Sequence, residues 1–317
     1  MGSTPQTVST VSEPLVESLR NVDIGLPDVA AAEAFYVNTW HLAVVARDQG
    51  VVYLRGTGAD HHLLALHHSP VGVLKSLTFR VPSVAALDQI CHNTVAHGGR
   101  VLSARQAVQE PGGGETVRVR DPQGRILRFV CGDVRHTDIA DQKDRPMRLA
   151  HAVLNSHDVA QGQAFYENVL GFRLADRTRG MAFIRIPRQG LWDHHSIALA
   201  DADNDCLNHV AFVMPDIESV MRGGGRMKDA GYGIQWGPGR HGPGDNAFNY
   251  FVGPSNFVIE YTAEVEQVGP DHVAGGPNDW GWPPGRVDQW GISAPPSAAL
   301  KAAQRAIAFE GVAGGDA

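Results

Sequence analysis

Four segments of the chain occur twice, in the same order. Asp28–Tyr36 (DVAAAEAFY) returns as Asp158–Tyr166 (DVAQGQAFY), and Asp60–Leu66 (DHHLLAL) returns as Asp193–Leu199 (DHHSIAL). Leu74–Val84 (LKSLTFRVPSV) matches Leu207–Ile217 (LNHVAFVMPDI). Val119–Phe129 (VRDPQGRILRF) matches Val252–Tyr261 (VGPSNFVIEY), with one residue of slack before the shared proline. Ordered self-similarity of this kind means that one structural unit is used twice. The halves read as domains spanning 15–135 and 146–266, joined by the polar stretch His136–Pro146, and a length of 317 residues fits two such units. Residues 267–317 have no partner in the first half and read as a C-terminal arm, either a lid or a subunit contact.

Each half has an inner order. The second opens on an alternating strand, RLAHAVLNS, followed by an amphipathic helix, AQGQAFYENVLG, whose apolar residues Ala164, Phe165, Val169 and Leu170 fall near helical spacing and whose Gly171 suits a C-cap. Strand-like pieces MAFIRIP and HSIALA come next, separated by polar and glycine-containing turns. The order then repeats: strand HVAFVM, helix IESVMRGGGRMKDAG, and strands FNYFV and NFVIEY. The expected fold is α+β, two tandem domains of two βαβββ modules, each domain a curved mixed sheet around a cavity. The final stretch SAALKAAQRAIAFEG has helical composition.

The duplication also lets one half serve as a control for the other. His151, His209 and Glu260 stand on equivalent strands of the second half, where the first half has Asn21, Ser76 and Arg128. A single histidine on a half-apolar strand is usually an ordinary core residue. Two imidazoles and a carboxylate on neighbouring strands are more informative, because together they occupy one face of a divalent metal and leave the other open, an arrangement suited to non-haem Fe(II). The same donors also suit Zn(II) or Mn(II). An arginine in the carboxylate's place repels a cation, so one metal site is expected, in the second half.

A net charge of −7 without clustered Lys and Arg argues against a nucleic-acid partner. Cys91, Cys131 and Cys206 form no CxxC pair and read as free thiols in a reducing compartment. No apolar run approaches membrane-spanning length. The Ser/Thr-rich start lacks the pattern of a signal peptide, so a cytoplasmic location is expected.

With these residues in view, the sequence resembles the vicinal oxygen chelate superfamily and, within it, the type I extradiol dioxygenases. The resemblance runs from about Leu19 to Gly291. Its specific motifs are LAHAVLNSHD, WDHHSIALA, LNHVAF and the run WGPGRHGPGDNAFNYFVGPSNFVIEY (Trp236–Tyr261). It implies a metal-free first domain and iron on His151, His209 and Glu260, with Mn(II) as the other candidate. It further implies an acid–base histidine at His195 (with His194 adjacent), a histidine near substrate and O2 at His241, and a tyrosine on the substrate oxygen at Tyr250. Weaker assignments are His194 as a substrate contact, Asp245, tuning the His241 loop or touching substrate, and Val153, keeping an O2 pocket apolar or simply filling core. Arg286, just before the WG of the arm, resembles a residue that meets a substrate carboxylate in homoprotocatechuate-type enzymes.

The implied activity is meta cleavage of a catechol-type diol by O2 to a muconic semialdehyde-type product, in aromatic compound degradation, by a homo-oligomer. Two alternatives stand beside it. One is another enzyme of the superfamily, a glyoxalase-like lyase or an epimerase. The other is a metal-free small-molecule binding protein.

Overall fold

The computed structural model describes residues 14–137 and 140–311. The expectation for the first dozen residues lies outside that range. The first half runs β1 (Ser18–Leu26), α1 (Val29–Asn38), β2 (Ala43–Asp48), β3 (Val51–Arg55), β4 (Leu64–His68), β5 (Val73–Arg80), α2 (Val84–Ala96), β6 (Arg100–Ala107), β7 (Glu115–Arg120) and β8 (Ile126–Cys131). The second runs β9 (Arg148–Ser156), α3 (Val159–Leu170), β10 (Arg173–Arg177), β11 (Met181–Arg185), β12 (Trp192–Asp193), β13 (Ile197–Asp201), β14 (Cys206–Val213), α4 (Ile217–Asp229), β15 (Trp236–Arg240), β16 (Ala247–Val252) and β17 (Val258–Ala263). The arm adds β18 (Gln267–Val268), α5 (Ala298–Ala303) and β19 (Ile307–Phe309).

The repeated DVA motif is a helix start. Asp28 accepts a hydrogen bond from Ala31 N at 2.8 Å, and Asp158 one from Gln161 N at 2.9 Å, each closing the open N-terminus of its helix. Gly171 ends α3 at φ 73°, a left-handed conformation that favours glycine. The repeated AFY then buries an aromatic pair, Phe35 and Tyr36 in α1, Phe165 and Tyr166 in α3.

The strand orders of the halves are the same. The first is β2-β3-β4-β1-β5-β8-β7-β6 and the second β10-β11-β13-β9-β14-β17-β16-β15. The opening strand of each module pairs parallel with the last of the same module, and the two opening strands pair antiparallel at the centre. Registers agree too: Ser76 faces Asp23 as His209 faces Val153, and Arg128 faces Thr78 as Glu260 faces Ala211. The comparison of Asn21, Ser76 and Arg128 with the three candidate donors is therefore a comparison of equivalent places in three dimensions. β9 is buried on nearly its whole length.

One expectation is corrected. The last segment is helical only over α5; it then crosses back as β19, parallel to β5 and antiparallel to β14, joining both halves into one 17-stranded sheet. The alternating Ile307–Ala308–Phe309 buries both large side chains, and the strand covers backbone edges that β5 and β14 would otherwise expose. A second tie lies on the underside of β17. Trp40, wholly buried, stacks on Tyr261 at 3.6 Å between ring centroids, and the Tyr261 hydroxyl donates to the Trp40 carbonyl at 2.9 Å. Among the described residues no helix is long and apolar enough to cross a membrane, and all three cysteines are free.

Trp40 thus supports, from the first half, the strand that bears Glu260. Trp40→Ala is expected to lower unfolding free energy by about 3–5 kcal/mol, measured by urea denaturation of the metal-free protein. Cysteine alkylation without unfolding should change it far less.

Candidate metal centre

His151 comes from the middle of β9, His209 from β14 and Glu260 from β17, three neighbouring strands at the centre of the second sheet. Their donor atoms converge, all within 4.8 Å of one another. Glu260 Oε2 lies 3.2 Å from His151 Nε2 and 3.3 Å from His209 Nε2. Two donors held about 2.1 Å from one ion at right angles stand about 3.0 Å apart, so these spacings are those of cis positions around a single cation. All three groups are buried. Burial lowers the His209 pKa, against the opposing pull of Glu260, which favours the neutral ligating imidazole. Burial alone pushes the Glu260 carboxyl up, but the facing His151 and His209 rings outweigh it and hold it below the usual carboxylate range. The donor set, its protonation and its geometry all fit a divalent transition metal.

Two amides orient these donors. Asn208 Oδ1 lies 2.8 Å from His209 Nδ1; accepting its N–H leaves Nε2 free as the ligand atom. Asn246 Nδ2 donates to Thr262 Oγ1 at 2.7 Å and reaches Glu260 Oε1 at 3.3 Å, so the second carboxylate oxygen is also held. Sequence reading passed over both. The half-to-half comparison held the signal, since Lys75 and Gly114 occupy their places in the first half.

His195, His241 and Tyr250 gather beside the donors. The His195 ring lies 4.3 Å from that of His151, and burial with the surrounding histidines depresses its pKa well below the usual value. His241 Nε2 is 3.0 Å from the Tyr250 hydroxyl, which is 3.4 Å from His209 Nε2. Burial takes His241 down to about 4 and, with Glu260 adding to it, raises the Tyr250 phenol well above its normal range. Near neutrality all three are uncharged. Trp236 stacks on Tyr250 at 5.0 Å, and Phe248 on His241 at 4.0 Å, closing an aromatic wall that the sequence did not reveal. Val153, level with His209 in the ladder, packs with Ala175, Phe183 and Ala198.

Two weaker candidates are not brought to the donors. Asp245 turns to Arg240, at 3.1 Å, and to Gln289 of the arm, at 2.7 Å, fastening the loop that holds His241. Arg286 is exposed and packs over Gly291. The arm instead meets the site from outside: Gln289 Nε2 donates to the His241 carbonyl at 2.5 Å, and the Trp280 and Trp282 rings lie over Gly242. His194 hydrogen-bonds both His195 and Asp176.

The first half keeps a cavity of about 330 Å³ at the equivalent place, lined by Ser76 and Arg128 together with Asp23, His67 and Glu110. There Arg128 pairs with Glu110, and Asp23 with His67 at 3.0 Å. No three metal donors converge in it among the described residues.

Residues 148–261 match the family model described as the glyoxalase/bleomycin resistance protein/dioxygenase superfamily. Metapyrocatechase 2 of Cupriavidus necator is 33% identical over 178 residues, 53% of this chain and 52% of the relative. The match thus spans about half the length of that curated relative. Among solved structures, the Mn(II)-bound glyoxalase from Novosphingobium aromaticivorans superposes with a TM-score of 0.79 at 33% identity, covering 88% of this chain and 92% of that one. A homoprotocatechuate 2,3-dioxygenase variant from B. fuscum, in complex with HPCA, superposes with a TM-score of 0.78 at 26% identity, covering 88% and 79%.

Glu260→Ala removes the charged donor, and metal retained after gel filtration, measured by elemental analysis, is expected to fall to background. Asn246→Ala leaves all three donors and is expected to weaken metal affinity about 10- to 100-fold in a chelator competition.

Proposed function

Because the chain belongs to the glyoxalase/bleomycin resistance protein/dioxygenase superfamily, we propose that it is an extradiol dioxygenase, cleaving a catechol with O2 at one Fe(II) held by His151, His209 and Glu260. The observation that supports this most is the one-sided donor set with three uncharged proton-handling groups, His195, His241 and Tyr250, beside it. A metal bound there lowers the pKa of a coordinated catechol and offers a further position to O2. The remaining work falls to side chains.

Tyr250, kept protonated by its surroundings, donates to a substrate oxygen. His241 fixes the Tyr250 hydroxyl at 3.0 Å and, being neutral, leaves room for an anionic diol. His195, also neutral, accepts the proton of a substrate hydroxyl and later returns one. Val153, Phe183 and Ala198 give an apolar wall that keeps water from the reacting atoms. Asp245 serves as an anchor of the His241 loop through Arg240 and Gln289. The product is a ring-opened muconic semialdehyde-type compound.

One observation favours a second reading, a glyoxalase-type isomerase with Mn(II): the 33% identical structural neighbour is named a Mn(II)-bound glyoxalase. O2 separates the two. Protein prepared anaerobically, loaded with Fe(II) or Mn(II) and mixed with substituted catechols, is expected to take up one O2 per catechol and give a yellow product. Turnover of a thiol hemiacetal without O2 uptake on any catechol would overturn the dioxygenase reading. His195→Asn is expected to lower kcat about 10²- to 10⁴-fold with metal content unchanged, read by the same absorbance assay.

A further inference from the structure

The His194–Asp176 contact has no role in the chemistry above, yet it is built with care. Asp176 and His194 are buried, and Asp176 Oδ2 lies 2.7 Å from His194 Nε2. On its other edge, His194 Nδ1 is 3.1 Å from His195 Nδ1. The remaining carboxylate oxygen of Asp176 accepts the Gly275 N–H at 2.6 Å, and His272 Nε2 is bonded to the Ala175 carbonyl at 2.9 Å with its ring edge-on to His194. These are hydrogen-bond distances with each partner accounted for, so the group is a chain of hydrogen bonds.

We propose that Asp176 and His194 are positioning residues that fix the tautomer of His195, so that its Nδ1–H points to His194 and its bare Nε2 is left for the substrate. This rests on the dioxygenase reading of the metal centre. An ionised carboxylate only accepts, so His194 Nε2 must be its donor. One proton lies between the two facing Nδ1 atoms at 3.1 Å, and the proposal assigns it to His195, with His194 Nδ1 as its acceptor. That leaves His195 Nε2 unprotonated. If Nε2 takes a proton from a substrate hydroxyl, the Nδ1 proton crosses to His194. One N–H bond forms and one breaks on His195, and the positive charge rests on His194 beside Asp176. The return of a proton to the substrate reverses both steps.

The duplicated half supplies the control. His61 and His62 are the counterparts of His194 and His195, and their Nδ1 atoms are also close, at 3.0 Å. The strand pairs Asp176–Phe183 and Ala46–Tyr53 are likewise equivalent, so alanine stands where the second half has the carboxylate. The histidine pair thus occurs in both halves, whereas the carboxylate occurs only in the half with metal donors. His62 Nε2, the atom corresponding to the proposed base, is buried without a partner.

The test reads the tautomer directly and then its consequence. In Zn(II)-loaded, ¹⁵N-histidine-labelled protein, long-range ¹⁵N–¹H spectra are expected to show His195 protonated at Nδ1 and bare at Nε2. Asp176→Asn is expected to mix the tautomers. In the Fe(II) enzyme the same change is expected to lower kcat at least about tenfold with KM and metal content unchanged, and Asp176→Glu to recover part of it. In a His195→Asn background, Asp176→Asn should cost nothing further. Nε2–H on His195, or equal losses in both backgrounds, would overturn the proposal. If the tautomer is as stated but no catechol is turned over by the wild type, the dioxygenase reading fails and the positioning role stands.

Discussion

The constraint on which the second half depends is the burial of one carboxylate. Glu260 has no exposed surface, and an ionised carboxyl taken out of water costs several kcal/mol unless other groups compensate it. His151 and His209 approach one oxygen and Asn246 the other. Two neutral imidazoles cannot balance a full negative charge, whereas a divalent cation among the three would. The first half faces the same problem at the same depth with opposite sign. Its Arg128 guanidinium is balanced by Glu110, and the matching cavity fills with ion pairs in place of a metal.

This inversion extends to the walls. Asp23, bonded to Asn21, Ser76 and His67, occupies in the first half the place of Val153 in the second. Around Val153 the neighbours are Ala175, Phe183 and Ala198. One architecture therefore yields a polar, self-neutralised cavity in one half and, in the other, a cluster of donors with apolar neighbours on one side and protic ones on the other. The apolar side suits an aromatic ring and O2. The protic side suits the oxygens of a diol.

Much of this was legible because the chain carries its own reference. The two-module build of each half and the contrast of His151, His209 and Glu260 with their counterparts follow from aligning one half with the other. Asn208 and Asn246 were within reach of the same alignment but offer no chemistry of their own, so nothing drew the eye to them. Asp176 was hidden for a different reason: it meets His194 only through the fold, with no motif linking the two. Segments without a counterpart were the least legible. Residues 297–311 have the alanine content of a helix, yet Ile307–Phe309 becomes a strand because two sheet edges lie open to it.

The first half holds no convergent metal donors among the described residues, yet the candidate metal centre leans on it. Trp40 stacks beneath Tyr261, the residue after Glu260, and β19 pairs with β5 on one side and β14, the strand of His209, on the other. Two of the three donors thus sit on strands fastened from across the molecule. A metal that needs its ligands within a few tenths of an ångström gains from a rigid frame, and side chains placed on packed strands are held more firmly than side chains on loops. His241 is the exception, since it lies on a loop, and that loop is the one that Asp245, Gln289 and the tryptophans of the arm hold down. The duplicated half and the arm therefore do the same physical work by different means: each removes freedom from residues of the candidate site.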